Sequence, residues 1–367
     1  MTTEYRIIGL MSGSSLDGLD LAYCTFRHDG KWHFTIENAI CYPYEGELHE
    51  LLEDARNLGA ADLWELHARL GAHFADCVNR FIKKNELHGK VDAIASHGHT
   101  IFHYPERRFT CQIGDGAALS AKTHLPVICD FRSADVALGG QGTPIVPIAD
   151  LLLFPETPLL LNIGGIANIS AKMDGSILAF DVCAANQLLN FFAQQKKLAY
   201  DDGGKLARKG TVHPELLNAL NDDPYFEQPF PKSLDNGFSK KMLQETEYFS
   251  VTTEDQLATC CEHIAMQIAQ HIEMIEEETG RNFDASQTML VTGGGAFNTY
   301  LMERIASRVK VRLAVPDEQI VKYKEALAIA FMGVLFERGE PNVLRSVTGA
   351  SANSIGGCRY GTKLNSQ

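Results

Sequence analysis

A glycine-rich turn that also carries serine and aspartate suits the chemistry of phosphate binding, and residues 12–20 have the sequence SGSSLDGLD. Serine hydroxyls and successive backbone N–H groups at such a turn can wrap an anion. An ordinary hairpin turn explains the same residues, so this motif alone leaves both interpretations open. The residues of this predicted phosphate loop are Ser12, Gly13, Ser14, Ser15, Leu16, Asp17, Gly18, Leu19 and Asp20.

Two further glycine turns occur in the second half of the chain. In NIGGIAN, residues 162–168, Gly164 and Gly165 allow the backbone to approach a phosphate without an intervening Cβ, although a bulge would also use them. In TGGGAFN, residues 292–298, a nucleotide could lie against the bare backbone of Gly293, Gly294 and Gly295, although a tight strand-to-helix turn is the alternative. The three turns together favour ATP held by two lobes.

Several polar side chains could contact a sugar or a phosphate. Arg132 can hold a carboxylate or phosphate with two hydrogen bonds, and Glu325 can orient a sugar or a hydrated metal ion, although each could be a solvated surface charge. His97, His99 and His103 form a cluster with no nearby acidic ligand, so we interpret it as a polar wall or packed core rather than a metal site. Asp115 and Asp130 lie beside glycine turns and are interpreted as capping or loop-holding residues.

The elements that must position these residues alternate between strands and helices. Apolar runs at residues 5–11 and 19–26 predict a hairpin, and residues 158–170 followed by SILAFDV predict a second one. Apolar residues at helical spacing predict helices near residues 63–81, 186–197, 256–278 and 325–338, and Asn298 is predicted to open another. The segments VDAIASHG, LPVICDF, TMLVTGGG and VRLAV read as buried strands, so we predict an α/β fold.

The length of 367 residues favours two domains. The glycine- and proline-rich stretch LGGQGTPIVP ends near Asp150, which predicts a first lobe at residues 1–150 and a second at 151–346. The tail, residues 347–367, could pack back on the first lobe. Neither lobe contains a P-loop GxxxxGK[ST] motif or the glycine loop and HRD motif of protein kinases, which excludes both classes.

Composition argues against several other classes of protein. The formal net charge is −13 and no block of Lys and Arg occurs, so nucleic acid and membrane surfaces are not expected partners. No apolar run approaches the roughly 20 residues that cross a bilayer, and we expect a cytoplasmic protein. The nine cysteines show no CxxC pair and are expected to be reduced packing residues.

Several continuous segments of the sequence carry a more specific signal. Between Gly9 and Ala350 the chain contains GLMSGSSLDGLDLA, SHGHTIFHYP, QIGD, DFRSADVALGGQGTPIVP, LNIGGIANI, GGGAFNTYL and VTGA. In this order and spacing they resemble the anhydro-N-acetylmuramic acid kinase family. The resemblance implies two ribonuclease-H-like lobes of the actin, hexokinase and Hsp70 superfamily, with ATP and sugar bound in the cleft between them.

The resemblance also implies a reaction. Water opens the 1,6-anhydro ring of the sugar while the γ-phosphate of ATP passes to O6, giving N-acetylmuramic acid 6-phosphate and ADP in peptidoglycan recycling. Such a phosphotransferase uses ATP and Mg²⁺, with Mg²⁺ carried by ATP rather than held by a direct protein ligand and with Asp17 as a candidate nearby holder. The family also tends to form homodimers, which a single chain cannot reveal.

The resemblance assigns site residues by position. Asp181, in AFDVCAAN, matches the catalytic aspartate of the family and could deprotonate the attacking water. His97, Arg132, Asn186 and Glu325 match positions near the sugar.

The chain departs from the family pattern directly after Asp181, because the usual DTGP reads Asp181-Val182-Cys183-Ala184. The carboxylate is kept, which favours a variant active site, and Cys183 is not expected to act as a nucleophile because no partner base is evident. Two alternatives stay open. The protein could be a catalytically weak sugar- or nucleotide-binding sensor of the same fold, or a kinase for another amino sugar.

Overall fold

The computed structural model describes residues 3–13, 16–230, 232–234, 237–246 and 248–361. The chain groups into two compact units. The first comprises residues 1–154 together with 323–367, and the second comprises residues 155–322. Among the described residues, no helix combines the length and the apolar character that a membrane span requires.

The first unit is built on a mixed sheet. Its strands are β1 Glu4–Ser12, β2 Leu19–His28, β3 Trp32–Tyr42, β4 Ala93–Tyr104, β5 Phe109–Ile113, β6 Val127–Cys129 and β12 Cys358–Tyr360. Its helices are α1 Gly46–Glu53, α2 Ala60–Lys84, α3 Gly116–Thr123, α4 Ser133–Ala137, α5 Pro147–Leu153 and α12 Arg345–Thr348. The sheet order is β12-β6-β4-β1-β2-β3, and β5 pairs with β4.

The second unit has a smaller sheet of the order β11-β10-β7-β8-β9. Its strands are β7 Leu159–Ile163, β8 Ile166–Met173, β9 Ser176–Ala184, β10 Thr288–Thr292 and β11 Arg312–Ala314. Its helices are α6 Asn186–Gln195, α7 Pro214–Asn221, α8 Phe238–Thr246, α9 Thr253–Thr279 and α10 Thr299–Ala306. The helix α11, Glu318–Arg338, begins in this unit and continues into the first.

Both sheets repeat one topology. Three consecutive strands pair antiparallel, β1-β2-β3 in the first unit and β7-β8-β9 in the second, because short turns join them. A helical crossover then adds parallel strands beside the first strand of each meander, β4 beside β1 and β10 beside β7. This repeated order is the ribonuclease-H-like arrangement, so the predicted α/β class with two such lobes is confirmed.

Helical periodicity was sufficient to predict the two long helices. Leu66, Leu70, Phe74 and Phe81 lie at helical spacing in α2 and are buried, and the apolar residues of α9 at such spacing, among them Leu257, are buried as well. Asn298 caps α10, because its Oδ1 accepts a hydrogen bond from the Leu301 N–H at 3.0 Å.

Strand β3 was not predicted, because it is an edge strand whose polar residues interrupt the alternation of apolar side chains. The helices α7 and α8 were not predicted either. Each is short, at eight and nine residues, so neither shows a long apolar period.

The largest difference from the predicted domain limits concerns residues 323–346, which sequence analysis placed in the second lobe. They group with the first unit. Helix α11 has a non-helical residue at Tyr323, with φ −118° and ψ 16°, and the part that follows packs on the first sheet. A Cβ at Gly9 of β1 would lie 2.0 Å from the Ala326 carbonyl oxygen, and the Phe331 ring lies 4.9 Å from that of Trp32.

We expect Phe331→Ala to lower the free energy of unfolding by about 3–5 kcal/mol, because the fully buried ring packs on Phe26 and Trp32 and its loss leaves a cavity. Urea unfolding followed by circular dichroism measures this change. Tyr248→Ala is the matched control, since that ring is 88% exposed and its removal should change stability little. Equal effects of the two substitutions would contradict the assignment of this part of α11 to the first core.

Candidate active site

The turn between β1 and β2 carries the predicted phosphate loop, of which Ser14 and Ser15 lie outside the described residues. Leu16 adopts a left-handed φ of 59°, and its N–H donates to the Gly13 carbonyl at 3.3 Å. Gly18 is required by packing, because a Cβ there would lie 2.4 Å from the Tyr42 carbonyl oxygen. The side chain of Leu19 is fully buried in the core, so only its backbone could take part in the predicted phosphate loop.

Ser12 belongs to a buried chain of hydrogen bonds. Tyr44 donates its hydroxyl to Ser12 Oγ at 2.7 Å, and Ser12 Oγ lies 2.9 Å from His99 Nδ1. Burial lowers the pKa of His99 to about 4, so the ring is neutral at neutral pH and its Nδ1 can accept the Ser12 proton. The hydroxyl of Ser12 therefore has two protein partners and braces the end of β1.

His97 orients Arg132. The Arg132 Nε donates to His97 Nε2 at 2.9 Å, so the ring proton lies on Nδ1, which donates to the Gly98 carbonyl at 2.9 Å. Burial and then the neighbouring guanidinium lower the pKa of His97 to about 3, which keeps the ring neutral. Both ring nitrogens of His97 are thus engaged by the protein, and the side chain that it positions is Arg132.

Arg132 is also held by the loop before α5. Its Nη1 donates to the Gly142 carbonyl at 2.6 Å, and burial lowers its pKa to about 10. Attraction to Glu325 and Asp135 opposes that shift and keeps the guanidinium charged. The structure therefore brings together His97, Arg132 and Glu325, which sequence analysis had assigned to the substrate separately.

Asp135 supports the surroundings of Arg132, and sequence analysis did not identify it. It is completely buried, its Oδ2 accepts from the Gly142 N–H at 2.8 Å, and its Oδ1 accepts from Thr348 Oγ1 at 2.7 Å. These bonds hold the loop whose Gly142 carbonyl receives Arg132. The motif DFRSAD contained the signal, because a second carboxylate follows the arginine at three residues.

Carboxylates gather near the phosphate loop. Burial first, and then repulsion from Glu325 and Asp17, raise the pKa of Asp20 to about 6, although a hydrogen bond with Cys41 opposes the shift. Burial also raises the pKa of Glu325, while Lys324 and Arg132 lower it. Within the described ranges, no group of three or more His, Cys, Asp or Glu side chains has the geometry of a direct metal site.

In the second unit, Asp181 lies at an irregularity in strand β9. Asn168 of β8 pairs with Asp181 and Ala167 pairs with Cys183, so one extra residue of β9 is accommodated and the strand bends. The Leu234 N–H donates to Asp181 Oδ2 at 2.9 Å. Burial raises the pKa of Asp181 to about 6, and the Leu234 hydrogen bond opposes this shift by stabilising the carboxylate. Such a group is suited to accept a proton near neutral pH.

The three residues for which sequence analysis found a departure from the family pattern directly follow Asp181 in β9. Val182, Cys183 and Ala184 are each fully buried in the core of the second unit. Burial raises the pKa of Cys183 well above its usual range, so the thiol is neutral and is not a nucleophile. The three side chains therefore belong to the core, while the carboxylate of Asp181 is retained.

The two glycine turns of the second unit divide into packed and open positions. A Cβ would lie 2.6 Å from the Ile163 carbonyl oxygen at Gly293 and 2.2 Å from the Ile163 Cγ2 at Gly295, so close packing alone requires both glycines. At Gly164 and Gly294 the nearest atoms to such a Cβ are 3.4 and 3.7 Å away. Packing does not require glycine there, and these two positions keep the bare backbone that sequence analysis assigned to a nucleotide.

The remaining predicted residues have clear partners. Asn186 opens α6, its N–H donates to the Gly164 carbonyl at 3.1 Å, and its Nδ2 donates to the Ile163 carbonyl at 3.1 Å. It lies with the glycine turns, where a Cβ on Gly294 would be 3.7 Å from its Nδ2. Asp115 caps α3 and Asp130 accepts from the Ser133 hydroxyl, so their structural interpretation is confirmed.

Comparison with known sequences places the chain in a family. The sequence model of the family described as anhydro-N-acetylmuramic acid kinase matches residues 5–362. The chain is similar to the anhydro-N-acetylmuramic acid kinase of Photobacterium profundum, with 36% identity covering 97% of this chain and 98% of the relative. It is similar to that of Vibrio cholerae, with 34% identity covering 96% and 97%. Among solved structures, component A of (R)-2-hydroxyglutaryl-CoA dehydratase from Acidaminococcus fermentans has 12% identity, coverage of 89% and 96%, and a TM-score of 0.44.

We expect Gly294→Ala to raise the KM for ATP about tenfold or more without loss of stability, because the new methyl group makes only an ordinary contact, 3.7 Å from Asn186 Nδ2, and would occupy the space predicted for a nucleotide. Steady-state kinetics with varied ATP and a thermal melt measure the two effects. Gly295→Ala is the contrasting variant, since its methyl group meets Ile163 and should lower the melting temperature. An unchanged KM in a folded Gly294→Ala protein would remove this turn from the nucleotide site.

Proposed function

Because the chain belongs to the anhydro-N-acetylmuramic acid kinase family, we propose that it converts 1,6-anhydro-N-acetylmuramic acid, ATP and water to N-acetylmuramic acid 6-phosphate and ADP. It is then a transferase that uses an alcohol oxygen as phosphoryl acceptor. The observation that carries the proposal is Asp181, a partly buried carboxylate at the bend of β9 whose pKa is raised to about 6. The reaction needs such a base for its water.

The proposed reaction couples two bond exchanges. Asp181 removes a proton from water as its oxygen bonds to the anomeric carbon, and the bond from that carbon to O6 breaks. O6 then forms the new bond to the γ-phosphorus, and the bond between that phosphorus and the ADP oxygen breaks. Asp181 releases its proton to solvent after turnover.

The first unit supplies charge for the phosphate and sugar groups. Arg132, fixed by His97 and the Gly142 carbonyl, is preorganised to donate to an anionic oxygen, which lowers the cost of ordering it on binding. The phosphate loop contributes the backbone of Gly13, Leu16 and Asp17 among its described residues. Gly164 and Gly294 contribute bare backbone from the second unit.

Mg²⁺ fits the chemistry of the first unit. Repulsion among Asp17, Asp20 and Glu325 contributes to the raised pKa of Asp20, and a divalent cation nearby would relieve that repulsion. Because the described residues contain no direct metal cluster, these carboxylates would hold Mg²⁺ through its water ligands while ATP carries the ion. Bound Mg²⁺ would neutralise the charge of the transferring phosphate.

Cellular context follows from the proposed reaction. The product belongs to peptidoglycan recycling, and a kinase that uses ATP and this sugar would work in the cytoplasm. We propose a homodimer as its working form, which light scattering of the purified protein tests. A monomer with full activity would contradict the dimer and leave the kinase proposal intact.

The proposal predicts that Mg·ATP and 1,6-anhydro-N-acetylmuramic acid yield ADP and a phosphorylated, ring-opened sugar, which mass spectrometry identifies. We expect Asp181→Asn to lower kcat a hundredfold or more while sugar binding persists, because the amide cannot accept the proton. N-acetylmuramic acid and N-acetylglucosamine, tested in parallel, report specificity. Near-full activity of Asp181→Asn would remove Asp181 from the mechanism, and absence of product with both ligands bound would contradict the kinase proposal.

The pH dependence should show the ionisation of Asp181. The base must be deprotonated, so kcat is expected to rise with pH through about 6 and to level off above 7. Asp20 has a similar pKa of about 6, so Asp20→Asn is the necessary control. Kinetics from pH 5 to 8 should show the rising limb in both proteins, and its disappearance in Asp20→Asn would assign the limb to Asp20 instead.

A further inference from the structure

Two parts of the segment between α7 and α8, one near its start and one near its end, contact Asp181. Near its start, the Tyr225 hydroxyl donates to the Asp181 carbonyl at 2.6 Å. Near its end, the Leu234 N–H donates to Asp181 Oδ2 at 2.9 Å, and the Lys232 carbonyl accepts from the Asp181 N–H at 3.3 Å. The backbone and the carboxylate of one residue are thus held by a single segment outside the sheet.

The side chain of Lys232, near the end of the segment, is hydrogen-bonded to residues near its start. Its Nζ donates to the Tyr225 carbonyl at 2.9 Å and to the Phe226 carbonyl at 3.2 Å. The ammonium also lies 4.7 Å from the centre of the Tyr225 ring and 5.9 Å from that of Phe230. Residues 232–234 belong to neither a helix nor a strand, so these contacts, rather than regular structure, place the Leu234 N–H.

Packing alone does not explain why a charged side chain occupies the position of Lys232. Lys232 is buried, and a buried ammonium is expensive unless it is hydrogen-bonded, so a methionine or leucine would fill the same space at lower cost. What the ammonium adds is the tie between the two ends of the segment that contact Asp181.

We propose that Lys232 and Tyr225 are positioning residues that hold the Leu234 N–H on Asp181 and so set the orientation and proton affinity of the base. The inference rests on the proposed function, in which Asp181 accepts the proton of water. Lys232 and Tyr225 touch neither the sugar nor the phosphate in this scheme and act only through Asp181.

The other titratable groups around the segment keep their charge state between pH 5 and 7, so the titration of Asp181 can be measured separately. Burial raises the pKa of Tyr225 and Cys183 above their usual ranges and lowers that of His271 on α9 to about 4, so all three are neutral near pH 7. Burial lowers the pKa of Lys232 to about 8, which leaves it mainly charged. Between pH 5 and 7, Asp181 is therefore the group of this set that changes charge.

Lys232→Met tests the inference, because it keeps the length of the side chain and removes the ammonium. Without its tie, the Leu234 N–H withdraws from Asp181, the carboxylate loses stabilisation, and its pKa rises. We expect the rising limb of kcat to move up by about one pH unit, so that kcat below pH 6 falls about tenfold and kcat at pH 8 changes less. Lys232→Arg keeps a charged donor and should restore most of the original profile.

Lys240→Met is the matched control, since it makes the same substitution at an exposed lysine of α8. Tyr225→Phe is the second variant, because it removes only the hydroxyl that donates to the Asp181 carbonyl and is expected to fold. It should shift the limb in the same direction by a smaller amount. A role confined to stability would lower the melting temperature and leave the limb at its original pH.

A readout independent of turnover separates this inference from the proposed function. Carbon-13 NMR of labelled aspartate carboxyls, with Asp181→Asn to assign the signal, follows the titration of Asp181 in the unliganded protein. A raised Asp181 pKa in Lys232→Met supports the inference even if the wild-type protein makes no product, which would overturn the kinase proposal alone. Unchanged titration and an unchanged limb in folded Lys232→Met and Tyr225→Phe would overturn the inference.

Discussion

The cost of removing charged groups from water governs the chemistry of both units. Burial raises the pKa of Asp181 and Asp20 to about 6 and lowers that of Arg132 to about 10. A charged group in such an environment persists only where hydrogen bonds or opposite charges replace the lost water. The partners of each charge therefore determine its orientation, and the surrounding loops are organised to supply them.

Arg132 shows how one charge organises the first unit. His97 must present an unprotonated Nε2, the loop at Gly142 must present its carbonyl, and Asp135 must hold that loop from the other side. Thr348 of α12 extends the arrangement by donating to Asp135. Thr348, in the part of the chain that returns to the first unit, thus supports the loop that holds this guanidinium.

In the second unit, a backbone N–H group stabilises the buried carboxylate. Asp181 lies at the irregularity in β9, and the Leu234 N–H partly offsets the burial of its carboxylate. Val182, Cys183 and Ala184, where sequence analysis found a departure from the family pattern, lie in the core of the second unit. All three side chains are buried away from solvent, and the Asp181 carboxylate keeps its hydrogen bond from the Leu234 N–H, so these residues are compatible with a retained base.

The sequence by itself determined the α/β class, the two hairpins, the long helices and the family, because these depend on local periodicity and on motifs that are continuous in the chain. It also determined which residue types were available at Asp181, Arg132 and Glu325. Only the tertiary structure decided that Leu19 is core, that Gly293 and Gly295 are required by packing, and that residues 323–346 join the first unit. It alone identified Asp135, Tyr225 and Lys232. Their importance comes from hydrogen bonds between residues distant in the chain, as from Tyr225 to Asp181, and no local pattern encodes such a contact.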